Sequence, residues 1–238
     1  MNKTGKTLGY WPEAFLRLFY PPRCLICRAI LPATALPGPP CCPRCRAKVP
    51  MAGPYCPRCG SFHPGAKDCC PGNSPLRSLF ALSFYRGEFR KMLHRLKYRG
   101  GRHLARPLGE WLGMALLEVG WTPDLVTYIP LHPRKLTRRG YNQAELVARR
   151  VAVLLKVPLV PALKKVKDNP SQTGLSRRER HRNVAGTFAS LEVIPPGNSL
   201  LLVDDIYTTG ATMKEAAAVL SRPGMKIYGA VAAFQSFN

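Results

Sequence analysis

The stretch "LLVDDIYTTGATM", residues Leu201–Met213, decides the fold. The apolar run Leu200–Val203 predicts a buried strand, and Asp204 and Asp205 follow it directly. A turn rich in threonine and glycine then leads into a run that predicts a helix from 212 to 220. In an open α/β sheet, ligands bind beyond the carboxyl ends of the strands. The order of strand, acidic pair, turn and helix therefore predicts a ligand site at this junction.

The turn between the strand and the helix predicts a site for a phosphate group. Backbone N–H groups and the positive end of the helix converge there, and Gly210 permits close approach of the ligand. The two aspartates beside the turn accept hydrogen bonds and suit sugar hydroxyls, so the predicted ligand is a sugar phosphate. The residues assigned to it are Asp204, Asp205, Tyr207, Thr208, Thr209, Gly210, Ala211 and Thr212, and the two aspartates are also the candidate catalytic groups.

Other phosphate-binding patterns fit this stretch less well. The Gly-Lys-Ser/Thr ending of a Walker loop and the G-x-G-x-x-G dinucleotide fingerprint are both absent. A phospho-acceptor receiver domain has acidic residues after a strand, but near its N-terminus and without this threonine and glycine tract. The remaining alternative is a plain strand followed by a capped helix.

Strand and helix patterns alternate from about residue 78 onward. Strands are predicted at 79–85, 124–130, 159–160, 187–189, 200–203 and 226–233, and helices at 87–98, 104–119, 142–155 and 212–220. This alternation predicts an α/β fold with a mostly parallel sheet flanked by helices. The domains predicted are 1–75 and 76–238, with a hinge at 71–75.

All nine cysteines lie in the first 70 residues, and six of them form three C-x-x-C pairs. This spacing predicts closed tetrahedral zinc sites of four thiolates rather than disulfides. The sequential pairing assigns Cys24, Cys27, Cys42 and Cys45 to one ion, and Cys56, Cys59, Cys69 and Cys70 to a second. Cys41 is left over, His63 could replace one ligand, and an interleaved pairing is also open, so one or two structural ions are expected.

The cysteine-rich segment is too small and too rich in proline and glycine to bury a core of its own. Metal binding would therefore supply its folding energy. The segment either contacts nucleic acid or a protein, or it braces the N-terminal part of the chain.

The chain carries 36 basic and 13 acidic side chains, and the acidic pair lies in the only segment without a basic surplus, 191–238. A basic surface attracts polyanions such as nucleic acid. A stripe of basic residues near Tyr98 is the candidate nucleic-acid contact: Lys91, Arg95, Lys97, Arg99 and Arg102. The alternatives are a solvated helix face and the composition of an arginine-rich genome.

The sequence contains no apolar run of the roughly 20 residues that a membrane helix needs. Glu13 and Arg17 interrupt the apolar residues near the N-terminus, and no small-residue cleavage site follows. We therefore expect a short amphipathic helix there, in a cytoplasmic protein without membrane insertion.

Five quoted tracts resemble the ComF family in order and spacing: "PPRCLICR", "LHRLKYRGGRHLA", "IPLHPRKLTRRGYNQAELVA", "QTGLSRRERHRNVAGTF" and the opening stretch. In this family a zinc ribbon precedes a domain that is similar to type I phosphoribosyltransferases, and members are associated with DNA uptake in natural transformation. The resemblance implies phosphoribosyl pyrophosphate (PRPP) with Mg²⁺ as ligand, Asp204 and Asp205 on the ribose diol, and residues 208–212 around the 5′-phosphate.

The resemblance also assigns two further loops. The pyrophosphate loop would contain Leu131, His132, Pro133, Arg134 and Lys135. A mobile hood loop would cover 172–183, with Arg177 and Arg178 available to hold pyrophosphate.

Three functions remain open on the sequence. The first is a PRPP-binding protein that supports DNA uptake, with single-stranded DNA and uptake helicases or recombination proteins as partners. The second is a Mg²⁺-dependent phosphoribosyltransferase with an unknown acceptor. The third is a nucleic-acid-binding adaptor without catalysis, because a fold does not fix a function.

Overall fold

The computed structural model describes residues 21–32, 40–67, 69–70, 74–98, 100–168, 185–191 and 194–235. The helices are α1 (Pro43–Arg46), α2 (Gly87–Tyr98), α3 (Ala105–Glu118), α4 (Pro133–Arg139), α5 (Gln143–Leu155) and α6 (Ala211–Leu220), with 3₁₀ turns at Pro64–Lys67 and Gly101–Leu104. The strands are β1 (Met51–Cys56), β2 (Ser61–Phe62), β3 (Leu76–Phe84), β4 (Leu125–Tyr128), β5 (Leu163–Lys165), β6 (Phe188–Ser190), β7 (Ser199–Tyr207) and β8 (Lys226–Phe234). The expected N-terminal helix lies outside the described residues.

The main sheet has six strands in the order β2-β1-β3-β8-β7-β4. Strands β3, β8, β7 and β4 run parallel to one another, while β1 pairs in antiparallel fashion with both β2 and β3. Strands β5 and β6 form a separate antiparallel pair. The prediction of a mostly parallel sheet with flanking helices is confirmed.

Helices cover both faces of the sheet and divide the core into two clusters. On one face, α2, α3 and α5 bury residues such as Phe89, Leu112 and Val147 against the sheet. On the other face, α6 and the β5–β6 pair bury residues such as Met213 and Phe188. This is the arrangement that the alternating pattern predicts, because a parallel sheet requires cover on both faces.

Strand β7 is longer than the apolar pattern indicates. It continues through both aspartates to Tyr207, because β8 pairs with it along its whole length, including Asp204 with Val231 and Tyr207 with Phe234. The aspartates therefore lie within the last four residues of the strand and not beyond its end. The sequence analysis did not predict helix α4 or strand β5, because both are short and lack a clear apolar period.

The cysteine-rich segment shares the sheet and the core of the rest of the chain. Strand β1 pairs with β3, including Gly53 with Ala81, so the sheet crosses the predicted boundary at residue 75. Leu25 and Ile26 are buried in the same cluster as α2 and α3. The predicted hinge falls partly outside the described residues, at 71–73. None of the helices in the described ranges has the length and apolar character to cross a bilayer.

Candidate functional site

Asp205 is buried near the carboxyl end of β7 and is held by two side chains from the flanking helices. Its Oδ2 accepts hydrogen bonds from Lys97 Nζ of α2 and from Gln143 Nε2 of α5, both at 3.0 Å. The other end of the Gln143 amide accepts from Arg139 at 2.5 Å, which fixes the orientation of the amide. Asp205 Oδ2 therefore takes part in an ion pair and in a hydrogen bond from a fixed amide.

The contact with Asp205 favours the charged form of Lys97. Burial acts to lower the pKa of Lys97, but the charge and hydrogen bond of Asp205 outweigh burial, so the pKa of this lysine is raised. A buried pair of this kind depends on both members, because removal of one leaves the other charge without a partner.

Asp204 is half-buried and differs from its neighbour in charge state. Burial and the adjacent charge of Asp205 raise its pKa to about 8. The Asp205 N–H, which donates to Asp204 Oδ1 at 2.8 Å, and the cations Lys97 and Lys165 oppose this shift. The two aspartates are thus not an equivalent pair, and Asp204 is the one that a cation or a ligand can convert to the carboxylate.

The turn after β7 has the geometry that the sequence predicts for a phosphate cradle. Gly210 adopts a left-handed conformation, with φ of 78°, immediately before α6 begins at Ala211. Thr209 Oγ1 accepts from the Ala211 N–H at 3.4 Å. The first backbone N–H groups of α6 and the positive end of its dipole point toward the turn, and Thr208 and Thr212 are half-buried there.

Tyr207 was assigned to the ligand, but its ring lies in an aromatic cluster. The ring stacks on Phe234 with centroids 5.4 Å apart and meets the edge of Tyr55 at 5.9 Å. The ring packs in the cluster that contains Ala211 and Met213, and its hydroxyl lies close to Gly210 in the turn. The Tyr207 side chain therefore supports the turn from the aromatic cluster, and its contact with a ligand stays a prediction.

Gly210→Ala is expected to destabilise the protein by about 1–3 kcal/mol and to displace Tyr207. The added Cβ would lie 2.1 Å from the Tyr207 hydroxyl, at a backbone φ that disfavours alanine. Chemical denaturation measures the loss. Gly120→Ala is the matched control, since its φ is 69° but its Cβ would meet nothing within 4 Å. Equal losses for both variants would show that the contact with Tyr207 contributes nothing.

The predicted pyrophosphate loop forms the start of α4, beside a basic patch. His132 caps the helix by accepting from the Arg134 N–H at 3.4 Å, and Asp168 lies 3.7 Å from His132 and 3.5 Å from Lys135. The other residues of the loop are Leu131, which is half-buried, and Pro133, which is exposed.

Lys165 of β5 connects this loop to the acidic pair. Burial and the charge of Lys135 lower its pKa, while Asp204 and Asp168 oppose that shift. These effects place Lys165 within electrostatic range of both the loop and Asp204. The sequence analysis did not identify Lys165 or Asp168, because no local motif marks them.

The predicted nucleic-acid stripe is not one continuous surface. Lys91 is exposed and pairs with Glu88, and Arg102 is exposed. Arg95 and Lys97 instead turn inward, to the cysteine-rich segment and to Asp205 respectively. Assignment of these two residues to nucleic acid is corrected, because a helix distributes neighbouring side chains around its axis. Arg99 and the hood residues Arg177 and Arg178 lie outside the described residues.

The cysteines form two groups of four, with the sequential membership predicted from their spacing. Cys24, Cys27, Cys42 and Cys45 form one group, and Cys56, Cys59, Cys69 and Cys70 form the other, with the sulfurs of each group within 4.8 Å of one another. Sulfur pairs lie 3.7 Å apart in both groups, for example between Cys27 and Cys42. Zinc–sulfur bonds of about 2.3 Å in a tetrahedron place the sulfurs about 3.8 Å apart. Both groups therefore fit a structural zinc ion.

The local backbone favours thiolate at one cysteine of each group. Burial opposes ionisation of Cys24 and Cys56, but backbone hydrogen bonds to each sulfur outweigh it and lower each pKa to about 7. Thiolate is the form that binds zinc. Cys41 belongs to neither group, and none of the nine cysteines forms a disulfide.

The sequence analysis did not identify Gln143 and Asn142 as residues of the site. Asn142 Oδ1 accepts from the Ala144 N–H to cap α5, and its Nδ2 donates to the Ile129 carbonyl at 3.0 Å. It thereby fixes the start of α5 against the end of β4 and directs Gln143 to Asp205. The available signal was an asparagine cap at the start of a predicted helix, within the tract "GYNQAE".

Comparison with known proteins agrees with both halves of this architecture. The family of the phosphoribosyl transferase domain matches residues 136–236, and the double zinc ribbon domain matches residues 15–72. The alignment with the solved structure of an adenine phosphoribosyltransferase has 19% sequence identity and a TM-score of 0.39. It covers 61% of this chain and 75% of the chain in that structure.

Two curated relatives are named for competence and for DNA utilization. Competence protein F of Haemophilus influenzae is 32% identical over 144 residues, which are 57% of this chain and 62% of the relative, so the matched region spans less than two thirds of that protein. DNA utilization protein YhgH of Escherichia coli K12 is 30% identical over 162 residues, which are 66% of this chain and 71% of the relative. With its double zinc ribbon, its phosphoribosyltransferase fold and these relatives, the chain belongs to the ComF family.

Proposed function

We propose that this protein binds PRPP with Mg²⁺ in the crevice between the β7–α6 turn and α4, and that it does so in support of DNA uptake. The observation that carries the proposal is the proximity of three elements. These are the glycine-containing turn before α6, the half-buried Asp204 three residues before that turn, and the cations Lys165 of β5 and Lys135 of α4, which lie within electrostatic range of one another.

Each element suits one part of the ligand. The N–H groups of the turn and the α6 dipole suit the 5′-phosphate. Asp204 suits the ribose hydroxyls as an acceptor, and its raised pKa predicts that it loses its proton when ligand and metal arrive. Lys135 and Lys165 suit the pyrophosphate, as do the hood residues Arg177 and Arg178.

Catalysis remains a separate proposal. Mg²⁺ would chelate PRPP and neutralise the pyrophosphate that departs. The chain itself would hold the pyrophosphate through Lys135 and Lys165 and would position the ribose on Asp204, so its contribution would be positioning and charge stabilisation. No side chain of the described site is placed as a dedicated base for an acceptor.

The DNA half of the proposal is supported by the names of the relatives and by the basic charge of the chain. Direct contact would use exposed basic residues such as Lys91 and Arg102. The affinity for single-stranded DNA should then fall steeply as the salt concentration rises. Binding that does not change with salt would exclude this contact.

Calorimetric titration with PRPP is expected to show binding that requires Mg²⁺, and Asp204→Asn is expected to weaken it by about 100-fold, because the amide cannot become an anion. Asp124→Asn is the matched control, since Asp124 caps the opposite end of β7 through Ser199. Affinity for PRPP should also rise with pH up to about 8, as Asp204 ionises. Equal affinity of the Asp204 variant and the native protein would reject the proposed site.

A further inference from the structure

Three consecutive residues at the end of α2 contact three separate parts of the molecule. Arg95 reaches the first zinc site, the Leu96 carbonyl accepts a hydrogen bond from the Tyr141 hydroxyl, and Lys97 pairs with Asp205. Successive helical residues point in different directions, about 100° apart, so a single turn can bridge three partners. This turn physically connects the first zinc site with the candidate ligand site.

Arg95 binds the backbone of the first zinc loop. Its Nη2 donates to the carbonyls of Ile26 at 3.0 Å and Leu25 at 3.4 Å, and these are the two residues between Cys24 and Cys27. In the structure these carbonyls face Arg95 while the sulfurs of Cys24 and Cys27 lie within 4.8 Å of the other two members of their group. Burial and the neighbouring Arg28 lower the pKa of Arg95, and its Nε is buried without a partner among the described residues. The guanidinium is thus costly to bury and depends on this contact.

The other two residues join α2 to α5 and to β7. Tyr141 precedes the Asn142–Gln143 pair at the start of α5, and Gln143 donates to the same Asp205 oxygen as Lys97. The chain of contacts from Leu96 through Tyr141 and Gln143 therefore returns to Lys97 at Asp205. A displacement of the end of α2 would disturb both groups that hold this carboxylate.

We propose that Arg95 and Lys97 are positioning residues through which the first zinc site holds the acidic pair in its binding geometry. With the zinc loop closed, Arg95 fixes the end of α2, Lys97 and Gln143 hold Asp205 turned into the fold, and Asp204 faces the ligand. Without that contact, Asp205 loses the ammonium that holds it, and the geometry of the acidic pair is no longer fixed. The role in ligand binding rests on the proposed PRPP site, whereas the mechanical coupling does not.

Hydrogen exchange tests the coupling without any ligand. Arg95→Gln is expected to retain two zinc ions per chain, while the backbone amides of residues 203–207 exchange about tenfold faster. Removal of zinc from the native protein with a chelator should accelerate exchange of the same amides. Lys91→Gln is the matched control on the same helix, because the Lys91 side chain is 71% exposed and contacts only Glu88 in the described structure. If Arg95→Gln does not fold, Arg95→Lys, which keeps the charge but not the planar fork, is measured instead.

Titration with PRPP and Mg²⁺ then tests the consequence for the ligand. Arg95→Gln and Lys97→Gln are each expected to weaken binding by about tenfold, with Lys91→Gln unchanged. Unchanged exchange at 203–207 in the Arg95 variant, or native PRPP affinity in both variants, would overturn the inference. If the native protein itself does not bind PRPP, the proposed function fails, and the exchange measurement alone decides the coupling.

Discussion

Asp204→Asn is expected to stabilise the protein at pH 8, whereas Asp205→Asn is expected to destabilise it by about 3–5 kcal/mol. In the folded protein, burial and Asp205 raise the pKa of Asp204 from 3.8 to about 8. Between these two values the folded state retains a proton that the unfolded state releases, so the free energy of unfolding falls as the pH rises. Asparagine imitates the protonated group and removes this loss, which amounts to about 1.4 kcal/mol for each pKa unit.

Asp205→Asn has the opposite effect because Asp205 is the ion-pair partner of the buried Lys97. Its replacement leaves the Lys97 ammonium buried without a counter-charge. Chemical denaturation of the native protein and both variants at pH 5 and pH 8 measures the difference, with the greater gain for Asp204→Asn at pH 8. Similar destabilisation by both site variants would contradict the unequal charge states of the pair.

Cys45→Ser is expected to lower the zinc content from two ions to one per chain and to unfold the segment around the first site. Cys45 is a buried member of the first group, and its sulfur completes the tetrahedron with Cys24, Cys27 and Cys42. Structural zinc contributes an apparent binding free energy of about 10–16 kcal/mol. A serine hydroxyl is a poor ligand by comparison, so the ion is lost when the protein is dialysed. Metal analysis of the dialysed protein measures the zinc content.

Cys41→Ser is the matched control for this experiment. Cys41 is buried four residues before Cys45, and burial raises its pKa to about 11, so it stays a neutral thiol that no zinc site requires. This variant should retain both ions. Loss of zinc from the Cys41 variant, or retention of two ions in the Cys45 variant, would show that the ligand set differs from the group of four.

The sequence predicted those elements whose structure depends on residues close together in the chain. Helix α2 covers the predicted residues 87–98, because Phe89, Met92, Leu93 and Leu96 repeat at helical spacing and are all buried. The cysteine groups also follow from spacing, since two residues between thiolates suffice to place both on one metal. By contrast, the full length of β7 depends on its pairing with β8, and no pattern within residues 199–207 indicates where that pairing ends.

The candidate site was predictable in its position and not in its charges. The acidic pair and the turn are adjacent in sequence, so their junction was visible. The ion pair between Lys97 and Asp205 joins residues 108 positions apart, and without the fold Lys97 looked like any other cation on a helix. The aromatic packing of Tyr207 was hidden for the same reason, because its partners Tyr55 and Phe234 are distant in sequence.

The hairpin of β1 and β2 protects the edge of the sheet against aggregation. It pairs with β3, a nine-residue, largely buried strand that would otherwise end the sheet with a row of unsatisfied N–H and C=O groups. Cys56 ends β1 and Cys59 lies in the turn of that hairpin, so the second metal also secures this cover. Deprived of zinc, the protein would present β3 as a template for strands of other chains, and precipitation would accompany the loss of ligand binding.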